Sequence, residues 1–239
     1  MVIYCKPAYT ALHQNIRINS ADLKTVAGQK TLHRELAKAD VLLTSFRPSA
    51  LVKLGLTWKA LHNQYPQLSQ VAIVGSPGAL AEAPGHDLTY LAENGLITGL
   101  DLPATLYADM GGSLMASEAV LQAALLKGTS GKGIYLEVAL SNSASYLALP
   151  RVWGLTTPGA AVGGGHAGYQ IYSCKNGRVA VAALEPHFAA RLCAAAGLGA
   201  PDMNLPATRQ AVADWLLGKT CAQLEKLALD KDIPLHTLT

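Results

Sequence analysis

Val41-Leu42-Leu43-Thr44 and Val71-Ala72-Ile73-Val74 are short, largely apolar runs, and each follows a stretch of helical periodicity, Val26 to Ala39 and Leu56 to Gln64. Apolar runs this short, without polar alternation, mark strands buried on both faces, as in a parallel sheet covered by helices. Ile134 to Leu140 reads as a third strand of the same kind. Strands separated by helices imply βαβ units and a mostly parallel sheet. Ser113 to Lys127 is the longest helical pattern, apolar apart from a narrow strip of Ser113, Ser117, Glu118 and Gln122. That pattern predicts a deeply packed helix.

The pattern changes after Trp153. Gly154 to Gly168 contains six glycines, and Tyr169 to Ala183 then reads as two strands around a Lys175-Asn176-Gly177 turn, Asn-Gly being a strong hairpin signal. Helices follow over Pro186 to Ala196, stopped by Gly197, then over Ala207 to Leu217. A last one is opened by Thr220 with Gln223 three residues on, a capping box. The fold class is therefore α/β, a Rossmann-like mostly parallel sheet domain over residues 1–155 followed by a smaller α+β domain over 165–239.

Working outward to the whole chain, 239 residues suffice for a well-filled core, and half of them are apolar while 15% are charged. Such a composition excludes a disordered tail. The net charge of +3 is too small and too scattered for a nucleic-acid groove, although it suits a polyanionic small ligand met by a few cations. No run approaches the ~18 apolar residues of a membrane span, and the first residues carry no export signal. The four cysteines (Cys5, Cys174, Cys193, Cys221) form no CxxC pair and lie far apart in sequence, so reduced thiols and a cytoplasmic location are expected, with no metal.

Several short motifs bear on chemistry. Gly163 to Gly168 matches G-x-G-x-x-G, but it sits between a helix and a hairpin rather than between a strand and a helix, so it is not a nucleotide site. A flexible flap or a plain linker are the remaining readings. Gly85-His86-Asp87 precedes a helical stretch, where His86 is suited to a general base. The same pattern fits a core histidine with Asp87 as a helix cap. Asp109-Met110-Gly111-Gly112 leads into the long helix, so Asp109 is either an ordinary N-cap or a carboxylate at the positive helix end, beside N–H groups able to bind an oxyanion. Glu185 stands before a proline that opens a helix. Arg47 follows the Val41–Thr44 strand at its carboxyl end, where open α/β sheets bind ligands, and would suit a phosphate.

In order, Ala39 to Pro48 with Lys53-Leu54-Gly55-Leu56, Gly85 to Ala92, Ala108 to Gly112, Ser130 to Gly133, and Val181 to Phe188 resemble the class III coenzyme A transferase superfamily (CaiB/BaiF type), closest to its α-methylacyl-CoA racemase branch. The resemblance runs from about residue 15 to the end. It implies an acyl-CoA enzyme. Asp109 matches the carboxylate that is a nucleophile in the transferases and an acid/base in the racemases. His86 matches the second acid/base of the racemases, and Glu185 the acid paired with that histidine. Arg47, with Gly111 and Gly112, would contact coenzyme A. Gly163 to Gly165 resembles a glycine loop that covers the site in some transferases. The readings implied are α-proton exchange of a 2-methylacyl-CoA thioester, coenzyme A transfer through an aspartyl intermediate, or a reduced homologue that binds a partner without turnover. The family's usual first strand and its returning C-terminal segment are absent from this sequence, which leads to the expectation of a homo-oligomer, most simply a side-by-side dimer that covers the exposed surfaces.

Overall fold

Local signals start and stop each element of the first half. The Thr25 hydroxyl accepts the Gly28 N–H at 3.0 Å and caps α1 (Val26–Leu36). After β1 (Val41–Thr44) the chain turns at Arg47 into α2 (Pro48–Leu54). Its proline stands where a missing N–H is harmless. Gly55, at φ 73°, ends that helix in the left-handed conformation that glycine adopts without strain. Thr57 then caps α3 (Trp58–Gln64), and β2 (Ser69–Val74) follows. After a short 3₁₀ turn come α4 (Asp87–Glu93), α5 (Tyr107–Ser130), β3 (Tyr135–Ala139) and α6 (Leu140–Leu147).

The computed structural model describes residues 14–238 of the chain, which divides into two units, Met1–Leu147 and Ala148–Thr239. In the first unit the three strands lie in the order β1-β2-β3, all parallel, with Thr44 beside Ala72 and Val74 beside Ala139. The α/β reading with a parallel sheet is correct. β2 is central and almost wholly buried. Leu36, Leu51, Leu56, Leu61 and Leu68 fill one cluster, and Val71 and Val138 meet Ala116 and Ala119 of α5 in another. Each fully buried leucine contributes about 1.5–3 kcal/mol.

The long helix departs from the expectation in two ways. It begins at Tyr107, not Ser113, so Asp109, Gly111 and Gly112 lie inside its first turns and Asp109 is no N-cap. It is also not deeply packed all round. Ala108, Gly112, Ala116, Ala119 and Ala123 form the buried face, and small side chains there let the helix sit close to the sheet. The large residues point outward, with Leu114 72%, Leu121 66% and Leu125 74% exposed.

The second unit carries α7 (Leu149–Val152) and a 3₁₀ turn at Ala161–Gly163, then β4 (Tyr169–Cys174), β5 (Gly177–Ala182), α8 (Pro186–Ala195), α9 (Pro206–Leu217), α10 (Cys221–Lys231) and β6 (Leu235–Leu238). The strands form an antiparallel sheet in the order β4-β5-β6. One face of it packs Tyr172, Cys174, Val179 and Val181 against Leu192, Val212, Leu216 and Leu224 of the helices. The hairpin and the three helices were expected, whereas β6 was not. The expected boundary at 155–165 falls inside this unit. Its glycine-rich segment is a packed part of the unit rather than a bare linker: Gln170 donates to the Gly164 carbonyl at 2.6 Å, Arg209 to that of Gly165 at 3.2 Å, and Ala167 N–H to that of Met203 at 2.7 Å.

Candidate active site

Parallel strands deliver all their carboxyl ends to one edge of the sheet, and the residues just past those ends form a hollow. Ser45, Phe46 and Arg47 follow β1, Gly75 follows β2, and Leu140 follows β3. With Gly85, His86 and Tyr90 they line a cavity of about 280 Å³. An open α/β sheet offers its ligand crevice at this edge. Arg47 and His86 are both exposed there.

Helix α4 supplies three consecutive components. His86 is its N-cap, and the backbone N–H of His86 donates to the Thr89 hydroxyl at 3.0 Å. Asp87 is only 5% exposed, and its Oδ1 accepts the backbone N–H of Asp109 at 2.9 Å. A buried carboxylate on one helix therefore holds the first turn of another, at the residue beside His86. Tyr90, one turn on, is buried, and a side chain added at Gly75 or at Gly85 would collide with its hydroxyl. Glycines at both positions make room for that phenol at the cavity wall.

The electrostatics follow from this arrangement. Burial pushes the Asp109 carboxyl above the usual carboxylate range, the like charge of Asp87 pushes it further, and His86 pulls it back. Burial also raises the Tyr90 phenol, with Asp109 and Glu93 adding to the effect and Arg47 opposing it. The phenol thus stays a neutral hydrogen-bond donor. A carboxyl of raised proton affinity, beside an imidazole, is a pair suited to moving protons.

Gly111 and Gly112 lie against α6. A side chain at Gly111 would strike Ser143 Oγ, and one at Gly112 would strike Leu140. Their position lets α6 approach the helix that carries Asp109. Glu185 is the exposed N-cap of α8, in the second unit. Of the sequence-predicted residues, the structure brings His86 and Asp109 together through Asp87 and sets Arg47 on the wall beside His86. Sequence reasoning took Asp87 for a helix cap and passed over Tyr90. The i, i+3 spacing of the two, which puts both on one face of a helix, was the available signal.

A second hollow in the same unit, about 730 Å³, is lined by Lys24, Lys30 and Lys53 with Leu23, Val26 and Leu54. It combines cations for phosphate groups with apolar surface for a flat ring. Among the described residues, no group of three or more His, Cys, Asp and Glu is arranged to hold a metal ion, and no helix is long and apolar enough to cross a membrane.

Residues 5–239 match the model of the CoA-transferase family III. Alpha-methylacyl-CoA racemase from Mus musculus is 31% identical over 212 residues, which is 81% of this chain and 55% of the racemase. Cinnamoyl-CoA:phenyllactate CoA-transferase from Clostridium sporogenes is 36% identical over 137 residues, 52% of this chain and 33% of that enzyme. The match thus covers about half the length of the racemase and a third of that of the transferase. A CAIB/BAIF family protein from Brucella suis has the same fold, with a TM-score of 0.75 at 22% identity over 92% of this chain and 65% of its own.

Proposed function

This chain belongs to the CoA-transferase family III, and from that premise we propose that it processes acyl-CoA thioesters by exchanging the proton α to the thioester carbonyl, as a 2-methylacyl-CoA racemase does. The observation that carries this reading is the Asp109 N–H to Asp87 bond, because it sets a carboxyl of raised proton affinity against the residue that follows His86. An α-proton is weakly acidic, so its removal needs a base on one face and a proton donor on the other. His86 and Asp109 are the proposed pair. One takes the proton and leaves an enolate, and the other returns a proton to the opposite face, inverting the centre. The Tyr90 phenol, a neutral donor, is suited to the enolate oxygen. Arg47 and the Lys24, Lys30 and Lys53 hollow suit the phosphates of coenzyme A. The proposed compartment is the cytoplasm, and a second copy of the chain is the proposed cover for the outward leucines of α5.

A second reading is supported by the 36% identity to a CoA-transferase. In it the Asp109 carboxylate attacks the thioester carbonyl, expels the coenzyme A thiolate and forms a mixed anhydride. The thiolate then attacks the aspartyl carbonyl of the anhydride, breaking its C–O bond, releasing the first acid as a carboxylate and leaving an aspartyl-CoA thioester. Incubation with a single enantiomer of a 2-methylacyl-CoA in deuterated water separates the two. Deuterium at the α-carbon, lost in Asp109→Asn, is the expected result. Movement of coenzyme A to an added acid without any deuterium would replace exchange by transfer.

A further inference from the structure

The four cysteines are scattered in sequence, yet the fold brings two of them together. Cys174 closes strand β4 and Cys221 opens helix α10, 47 positions later, and their sulfurs stand 3.6 Å apart. Both are free thiols in the core of the second unit. The backbone around them is already fastened. Lys175 N–H donates to the Lys219 carbonyl at 2.8 Å, and Cys221 N–H donates to the Asn176 side chain at 2.8 Å. Gly177 lies opposite Cys174 in the hairpin, and a side chain there would stand 3.0 Å from the Cys221 sulfur. Nothing in the hairpin side chains therefore separates the two sulfurs. A disulfide needs them about 2.05 Å apart, a closure of roughly 1.5 Å that side-chain rotation and a small hairpin shift can supply.

We propose that Cys174 and Cys221 are an oxidation site, closing to an intramolecular disulfide when the protein meets a peroxide. The thiolate of one cysteine attacks a peroxide oxygen. An S–O bond forms, the O–O bond breaks, and the departing hydroxide takes up the proton released by the thiol, leaving a sulfenic acid and water. The second sulfur then attacks the sulfenic sulfur. The S–S bond forms, the S–O bond breaks, and the leaving hydroxide carries off the second thiol proton as water. Two thiols and one hydrogen peroxide give one disulfide and two waters, the sulfurs having lost two electrons to the peroxide oxygens. Burial makes the reaction slow, since it waits on local opening of the hairpin. The product is a staple between the hairpin turn and the start of α10. Cys193 has no part in it, its thiol lying against the Met203 sulfur at 3.5 Å.

The test uses the full chain, treated with hydrogen peroxide while folded, alkylated, and cut with trypsin without reduction. The expected product joins the peptide 152–175 to the peptide 220–226, lighter by two hydrogens than the separate pair. It persists in Cys193→Ser and vanishes in Cys221→Ser and in Cys174→Ser. The oxidised protein should melt on the order of 10 °C higher, because the closed loop restricts the unfolded chain. Dithiothreitol should reverse that gain, and Cys221→Ser should lack it. Complete alkylation of both cysteines after peroxide treatment, crosslinks that use Cys5 or Cys193 instead, or sulfinic acids in place of the joined peptides would each overturn the proposal.

Discussion

Replacing Asp87 tests the one hydrogen bond on which the candidate site is built. In Asp87→Ala the Asp109 N–H loses a charged acceptor at 2.9 Å in a position only 5% exposed. Hydrogen bonds to charged groups contribute about 1.5–3 kcal/mol. The carboxylate also sits in the first turn of α4, where a negative charge contributes about 0.3–1 kcal/mol. Relief of its repulsion with Asp109 offsets part of that loss. The net expectation is a cost of about 2–3 kcal/mol, seen in urea unfolding as a lower midpoint with an unchanged slope. Asp87→Asn keeps an oxygen acceptor and should cost roughly 1 kcal/mol. Both variants should let the Asp109 carboxyl ionise at lower pH, since one of the two causes raising it is removed. Carbon-detected NMR titration of Asp109 reads that directly. An alanine variant within 0.5 kcal/mol of the parent, or an asparagine variant as costly as alanine, would refute the reasoning.

Asp109→Asn should abolish turnover and yet stabilise the fold at neutral pH. The sign follows from the raised proton affinity of the folded state: relative to the variant, the parent is at its best below about pH 3.8, the ordinary value, and loses that advantage as pH rises through the higher folded value. Paired thermal melts from pH 3 to 8 check it, and a gap that narrows toward high pH would contradict it. Arg47→Ala should weaken coenzyme A binding by about tenfold in calorimetric titration while leaving the melting temperature nearly unchanged. Leu224→Ala removes a fully buried side chain of the second unit and should cost that unit about 2–5 kcal/mol, read by hydrogen exchange at Val179 and Val181. Light scattering should find more than one chain per particle, and Leu121→Glu on the outward face of α5 should return it to a single chain.

Strand placement was legible because β1 and β2 both carry short apolar runs, although only β2 is almost wholly buried as such a run implies, Leu43 of β1 being 51% exposed. Cap signals did nearly as well: Thr220 with Gln223, and Pro186 after Glu185, sit where the helices begin. The start of α5 was missed because Leu106, its N-cap, offers no side-chain signal, and the pair Gly111-Gly112 reads locally as a break. Only the tertiary partners Ser143 and Leu140 explain glycine there. The outward leucines defeated the hydrophobic pattern for a related reason, since Ala116 and Ala119, not leucines, are the buried helix residues that meet Val71 and Val138 of the sheet. Within the site, His86 and Asp109 stood out by residue type and setting. Asp87 did not, because a carboxylate after a helix start is ordinary, and its partner lies 22 residues away on another element.

The Asp87 to Asp109 bond has a topological consequence as well. It spans the whole α4–α5 connection, whose Leu100 and Leu102 reach into solvent, so that connection is not what keeps the two helices in register. Residues 98–104 are then a place to open the chain. A circular permutant with new termini there, or two fragments supplied separately, would keep His86 and Asp109 on opposite sides of the cut and let the buried Asp87 carboxylate, with the packing of Tyr90 and Leu91 in one cluster with Ala108, rejoin them. Such a split pair would report its own reassembly through the recovery of activity.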